Sequence, residues 1–270
     1  MQIKKTIILL KTSITIMCLS CFIACQNNNQ NPGIEESFEE ISEPDTTKNM
    51  NTAKSELPTE ALYLDSIGLT NVRDIDSSIQ VKLRYSSTDN FLGIDLYGAL
   101  EQAYLQPDVA EKLAKASAYL QQDHPNLRLL VWDAVRPVSV QNRMWEVCDV
   151  PLKRRHWYVT PPGKRSLHNY GAAVDVTLID TTGDKQDMGT DFDHFGPAAY
   201  TDRNEELTKT MLVSPEAINN RLILHAVMEK AGFTGIKYEW WHFNACSRDT
   251  AETKYEPVIS LNDSTKTAKR

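Results

Sequence analysis

Ser166-Leu167-His168-Asn169-Tyr170-Gly171-Ala172-Ala173-Val174-Asp175 is the stretch from which the rest of the chain is read. Its first half is a polar loop, and its second half, continuing to Ile179, is an apolar strand. Gly171 joins the two, because glycine adopts the backbone angles of a tight turn at little cost. Strand parity puts Ala173, Asp175, Thr177 and Ile179 on one face and Ala172, Val174, Val176 and Leu178 on the other. Asp175 is thus a carboxylate inside an apolar strand, and burying it unpaired costs several kcal/mol. A nearby cation removes that cost.

Some seventy residues later comes Glu239-Trp240-Trp241-His242. The two segments together offer two imidazoles, two carboxylates and the Ser166 hydroxyl, the inventory of a catalytic zinc site. Two histidines and one carboxylate form a common shell, with Asp175 and Glu239 competing for the third position and the other carboxylate serving as general base. The spacing alone does not choose between them. Residues 236–243 read as an aromatic strand, yet Glu239 and His242 would face opposite sides of a uniform strand. If both serve one site, the strand ends or bulges near Trp240-Trp241.

The flanking chain supplies the scaffold. Residues 79–85 alternate apolar and polar, the period of a half-buried strand, and a polar loop follows. Val109, Leu113, Ala116 and Leu120 line one face of a helix over 107–122, with Pro107 in its first turn. Residues 126–135 are almost wholly apolar and read as a buried strand, which ends at Arg136-Pro137. Arg136 is either a surface charge or aimed at an anion. Ser139 is a candidate cap for a helix over 140–147, and residues 153–164 form a basic loop. Residues 180–195 read as an exposed acidic stretch without calcium-loop spacing. Ser214-Pro215 opens a helix lined by Ile218, Leu222 and Val227 and stopped at Gly232. The fold class expected is α+β: a single domain over 61–258 with a small mixed or antiparallel sheet packed against helices. Residues 259–270 read as a disordered tail.

Composition narrows the function. The 270 residues are 41% hydrophobic and 24% charged, ordinary for a globular protein, and a formal charge of -7 without a basic stripe argues against nucleic acid as a partner. No Gly-rich turn follows the first strand and there is no G-x-S-x-G elbow, so dinucleotide and serine-hydrolase readings lose. Lys4 and Lys5 precede an apolar run from Thr6 to Ala24 that stops at Cys25. This reads as an export signal over 1–24. Phe22-Ile23-Ala24-Cys25 resembles a bacterial lipobox, with lipid on Cys25, so the expected location is exported, on the periplasmic side and anchored to a membrane. Residues 25–60 have few large apolar residues and read as a flexible tether. Cys148 and Cys246 either pair or remain separate thiols.

Ser166-x-His168-x-x-Gly171-x-Ala173-x-Asp175 and Glu239-x-Trp241-His242 resemble the two signature motifs of the zinc D-alanyl-D-alanine dipeptidases of the VanX type. These are related in fold to D-Ala-D-Ala carboxypeptidases and Hedgehog-type domains. Trp132-Asp133-Ala134-Val135-Arg136-Pro137 is similar to a third block of that family and the stretch from Tyr85 to Gly93 to a fourth. The resemblance implies one Zn2+ per chain held by His168, Asp175 and His242, with Glu239 as general base and Arg136 stabilising the transition state. It also implies Ser166 and Asp193 as acceptors for the free amine of the substrate, the D-Ala-D-Ala dipeptide. Two rivals accompany it: an enzyme trimming longer peptidoglycan peptides, and a binding module that keeps the fold without catalysis. Among the other histidines, His194 is the rival ligand, His225 a packing residue, His124 a helix end and His156 a loop residue.

Overall fold

The computed structural model of the chain describes residues 57–262. The expected export signal over 1–24, Cys25 and most of the stretch 25–60 read as a tether lie outside the described residues. In chain order the elements are α1 (Thr59–Ser66), β1 (Thr70–Asn71), α2 (Val72–Ile75), β2 (Gln80–Val81), β3 (Tyr104–Leu105), α3 (Pro107–Asp123), β4 (Leu127–Asp133), α4 (Val138–Val147) and α5 (Leu152–Arg155). They continue with β5 (Ala173–Asp180), α6 (Asn204–Lys209), α7 (Pro215–Lys230), β6 (Thr234–Gly235), β7 (His242–Asn244) and α8 (Arg248–Lys254). A five-stranded mixed sheet runs β2-β4-β5-β7-β6, with β2 parallel to β4 and the remaining pairs antiparallel; β1 and β3 form a separate ribbon. The fold is α+β.

β5 is the central strand, buried on both faces from Ala173 to Ile179, which is why its sequence is apolar at nearly every position. α3 presents Val109, Leu113, Ala116 and Leu120 to the core, all fully buried, and packs against β4 and α7. The Ser214 hydroxyl accepts from the Ala217 amide at 3.0 Å and Pro215 takes the first turn of α7. That helix buries Ile218, Leu224, Val227 and Met228, whereas Leu222, expected in the core, is 54% exposed. Apolar character alone placed it wrongly.

The register of the sheet makes the site. β4 and β5 pair Val131 with Val176 and then Asp133 with Asp175, so Trp132 is an extra residue on β4, a bulge. β5 and β7 pair Asp175 with His242. Asp133, Asp175 and His242 therefore form one row across three strands, their side chains on one face.

Four local expectations change. The strand over 79–85 is only Gln80–Val81, after which the chain turns through a 3-10 helix at Arg84–Ser86 that buries Tyr85. α4 begins at Val138 with Pro137 at its cap, placing Ser139 inside the first turn. In the stretch 180–195, Met188 and Phe192 are buried, and Phe192 packs on Tyr85, Trp132 and Trp241. At the two ends, α1 begins at Thr59, and the Ile259 carbonyl accepts from the Ser139 amide, so ordered structure extends past 61–258 on both sides.

Candidate active site

His168 sits in a 3-10 helix, Leu167–Tyr170, that docks the polar half of the opening stretch against the sheet. Ser166 caps it by accepting from the His168 amide at 3.3 Å, while Asn169 Oδ1 accepts from the Ser166 amide at 2.8 Å. Gly171 ends it at φ 62°. A Cβ there would lie 3.2 Å from the Gln106 backbone nitrogen, so both the left-handed backbone and the close packing call for glycine.

Three ligand atoms converge. Asp175 Oδ1 is 3.0 Å from His242 Nδ1 and 3.4 Å from His168 Nε2, and the two imidazole nitrogens are 3.1 Å apart. A tetrahedral ion with bonds of about 2.0–2.1 Å separates its ligands by about 3.3–3.4 Å, close to these spacings. The outer nitrogens are held as well. His168 Nδ1 donates to the Ala134 carbonyl at 2.7 Å and His242 Nε2 donates to Asn244 Oδ1 at 2.9 Å. Each imidazole is thereby set in the tautomer that points a lone pair at the shared centre. Among the described residues, His168, Asp175 and His242 are the group of metal-ligating side chains that fits an ion.

The electrostatics agree with a cation at that centre. Burial raises the Asp175 carboxyl, but the charges and hydrogen bonds of His168 and His242 outweigh it and hold the group well below the usual range. Burial lowers His242, yet the Asp175 hydrogen bond and charge push it up to about 9. A proton on His242 thus fills part of the role of the metal.

The last strand resolves the odd Glu239-to-His242 spacing. β7 starts only at His242, and Trp240-Trp241 forms a turn in which the His242 amide bonds back to the Glu239 carbonyl. Glu239 Oε2 then lies 4.0 Å from His242 Nδ1, beside the three ligand atoms and outside their ring. Burial raises the Glu239 carboxyl, and the Asp175 charge adds to this against the pull of His242.

Arg136 reaches the same centre from the end of β4. Its Nε and Nη2 donate to Asp133 Oδ2 at 2.8 and 2.5 Å, its Nη2 stands 3.6 Å from Asp175 Oδ2, and its guanidinium lies over the Tyr85 ring. Burial works against the cation, but Asp133 overrides it and keeps Arg136 charged. Asp133 is fully buried and also accepts from the Tyr97 hydroxyl at 2.6 Å.

Residues 65–260 match the peptidase family M15 described as D-Ala-D-Ala dipeptidase. The chain belongs to this family. The D-alanyl-D-alanine dipeptidase of Escherichia coli (strain K12) is 33% identical over 179 residues, covering 66% of the chain and 85% of that protein. That of Enterococcus faecium is 27% identical over 192 residues, covering 66% and 91%. The bifunctional D-Ala-D-Ala dipeptidase and D-Ala-D-Ala carboxypeptidase VanXYC of Enterococcus gallinarum is 33% identical over 145 residues, covering 52% and 66%.

In this family member the site opens into a cavity of about 270 Å³. Asp193 borders it, accepting from the Tyr85 hydroxyl at 2.9 Å, and burial pushes its carboxyl well above the usual range. Its φ of 58° is uncommon for a residue with a side chain, although Asp tolerates it better than most. Ser166 and Arg248 border the cavity too, and Arg248 donates to the Arg165 carbonyl. Elsewhere, His194 is exposed and outside the ligand cluster, and His225 packs on Phe243 with Nε2 3.2 Å from the Trp240 carbonyl. Cys148 and Cys246 are both free thiols.

Asp133 is the residue the sequence reading passed over. The signal was present: it is a carboxylate at the end of an apolar strand, the same anomaly that singled out Asp175.

Proposed function

We propose that the chain hydrolyses the D-Ala-D-Ala dipeptide in cell-wall peptide metabolism as a zinc peptidase. The observation that carries this reading is the ring of His168 Nε2, Asp175 Oδ1 and His242 Nδ1, with both outer imidazole nitrogens tied off and Glu239 poised just outside it. The three residues would hold one Zn2+, which when bound supplies a Lewis acid for the scissile carbonyl and lowers the pKa of water.

The chain's own residues supply the rest. Glu239, with its carboxyl raised above its ordinary range by burial, accepts a proton from the attacking water at a carboxylate oxygen and passes it to the departing amine. Arg136, held charged and oriented by Asp133, faces the oxygen that gains charge as the carbonyl is attacked. The dipeptide is a zwitterion, and the cavity offers Asp193 for its ammonium and Arg248 for its carboxylate. Ser166, which the resemblance puts on the amine side, borders the same cavity and offers its hydroxyl to the dipeptide. A cavity of about 270 Å³ lies just below the roughly 300–1,000 Å³ usual for ligand sites, in keeping with a substrate as small as a dipeptide.

The N-terminal sequence, Lys4 and Lys5 followed by an apolar run to Ala24 and then Cys25, supports export and a lipid anchor on Cys25. An exported dipeptidase would act on dipeptide released from the wall. Mass spectrometry of the mature N-terminus tests the anchor, and an intact Met1 refutes it. Metal analysis of the purified chain together with D-Ala-D-Ala hydrolysis tests the activity. One zinc per chain and metal-dependent cleavage are expected, and a protein that binds the metal without cleaving the dipeptide would be a binding module instead.

A further inference from the structure

Next to the catalytic cavity lies a second one of about 550 Å³, walled mainly by Trp157, Tyr158, Phe195, Tyr200, Tyr238 and Glu239. Tyr158, Phe195 and Glu239 border both spaces, so the two share a partition. Tyr158 and Phe195 meet edge to face at 4.7 Å, Phe91 backs Phe195 at 5.0 Å, and Tyr200 meets Tyr238 at 5.1 Å. Trp157 is 65% exposed and Tyr238 is 55% exposed. Leaving large aromatic faces in water forgoes about 25 cal/mol for each Å² that could be buried, and such faces gathered round a concave space beside a catalytic carboxylate mark a binding surface. The mechanism above uses neither residue.

The charges of the catalytic cavity fix which part of a substrate this annex meets. Besides the ligand Asp175, its acidic groups are Asp193 and Glu239; Phe195, two residues beyond Asp193, and Glu239 itself form part of the wall shared with the annex. Arg248, Ser166 and Asn244 border the catalytic cavity alone. A zwitterionic dipeptide placing its ammonium toward the acids and its carboxylate toward Arg248 brings its amino-terminal residue to the partition. The side chain of that residue branches from the carbon that bears the ammonium.

We propose that the aromatic annex is the pocket for the side chain of the substrate's amino-terminal residue, so that the enzyme accepts D,D-dipeptides whose first residue is aromatic or large and aliphatic as well as D-Ala-D-Ala. The inference rests on the dipeptidase reading. Its occupant is apolar because aromatic rings make up most of the wall, with Glu239 only at the partition, and burying a large side chain against them favours it over a methyl group.

The test is kcat/KM of the zinc-loaded full chain on D-Ala-D-Ala, D-Phe-D-Ala, D-Ala-D-Phe and N-acetyl-D-Ala-D-Ala, repeated with Trp157→Ala, Trp157→Phe and Tyr238→Ala. The wild type is expected to cleave D-Phe-D-Ala at least as efficiently as D-Ala-D-Ala. Each alanine variant is expected to lower the ratio of the two by about tenfold, chiefly through KM, with Trp157→Phe retaining most of it. Cleavage of D-Ala-D-Ala without D-Phe-D-Ala overturns the annex assignment and leaves the dipeptidase reading standing. Preference for D-Ala-D-Phe overturns it by reversing the polarity, and preference for the acetylated substrate overturns it by giving the annex to an acyl extension. A ratio unmoved by the alanine variants overturns it as well. If no dipeptide is cleaved, the dipeptidase reading fails and the annex proposal with it.

Discussion

His168, Asp175 and His242 stand on the central sheet or on a capped turn docked to it, and all three are buried; Asp193, Trp157 and Tyr238 stand on loops at the cavity walls. The first group is placed by strand register, which cannot slip without turning every side chain of a strand to the other face. The second is placed by loop conformation, which adjusts residue by residue. The difference assigns tasks. Ligand atoms that must stay within a few tenths of an ångström of one another are built on the sheet, and contacts that choose among substrates are built on segments free to vary.

That division breaks most visibly at Asp175. Asp175→Asn keeps the shape of the side chain and removes the charge that both imidazoles face, so the metal should be lost and hydrolysis should fall to background. Metal content after dialysis, measured beside activity, checks this. Glu239→Gln is the companion from just outside the ligand ring. It should lower kcat by about 10²–10⁴-fold, the range for a lost general base, while the zinc content stays at the wild-type level. If Glu239→Gln lost the metal too, Glu239 would belong to the ligand set and the inner boundary of the site would be drawn wrongly.

The sheet-borne half was the more legible in sequence, for a physical reason. In the sequence Asp175 is a carboxylate with no local partner in an apolar strand, and such an anomaly has few explanations besides a cation. The odd spacing of Glu239 and His242 called for a break at Trp240-Trp241, and the turn is there. The bulge at Trp132, which brings Asp133 opposite Asp175, has no local signature, because it is a property of how two strands pair. The short strand after Ile79 was overestimated because alternation persists into a 3-10 turn whose direction is set by Tyr85 reaching the core. The annex was not legible at all: residues 156–158, 195–200 and 238 meet only once the whole chain has folded.

Titration sharpens the comparison from the side of the metal. In the metal-free protein His242 is raised to about 9 by Asp175, so at neutral pH its imidazole carries a proton where the metal would sit. A group with a raised pKa keeps that proton below the raised value and loses it above. Metal binding must therefore expel one proton at pH 7. Zinc affinity, measured in competition with a chelator of known pH dependence, should rise about tenfold per pH unit up to about pH 9 and then level off. A flat profile between pH 6 and 8 would mean that Asp175 does not hold the proton on His242.

Asp193 probes the loop side, where the smallest change in stability is expected. Its φ of 58° lies in the left-handed region, where an ordinary side chain costs about 1–2 kcal/mol and Asp somewhat less. Asp193→Gly removes that strain but adds backbone freedom to the unfolded chain, worth about 0.4–1 kcal/mol in the opposite sense. The two nearly cancel, and with the Tyr85 hydroxyl, which borders the cavity, taking water in place of the Asp193 carboxyl, Tm should move by no more than about 2 °C in either direction. Function should not be spared to the same degree. Burial pushes the Asp193 carboxyl up while it faces Tyr85, and an arriving ammonium favours its charged form. Losing that contact should raise KM by about tenfold or more with little change in kcat, in line with the 1.5–3 kcal/mol of a hydrogen bond to a charged group. A variant that keeps its Tm and its kcat while KM rises shows a wall residue acting on substrate alone. One that loses kcat and metal together would instead tie Asp193 to the buried row of Asp133, Asp175 and His242, and the distinction between sheet-borne and loop-borne residues would fail at this position.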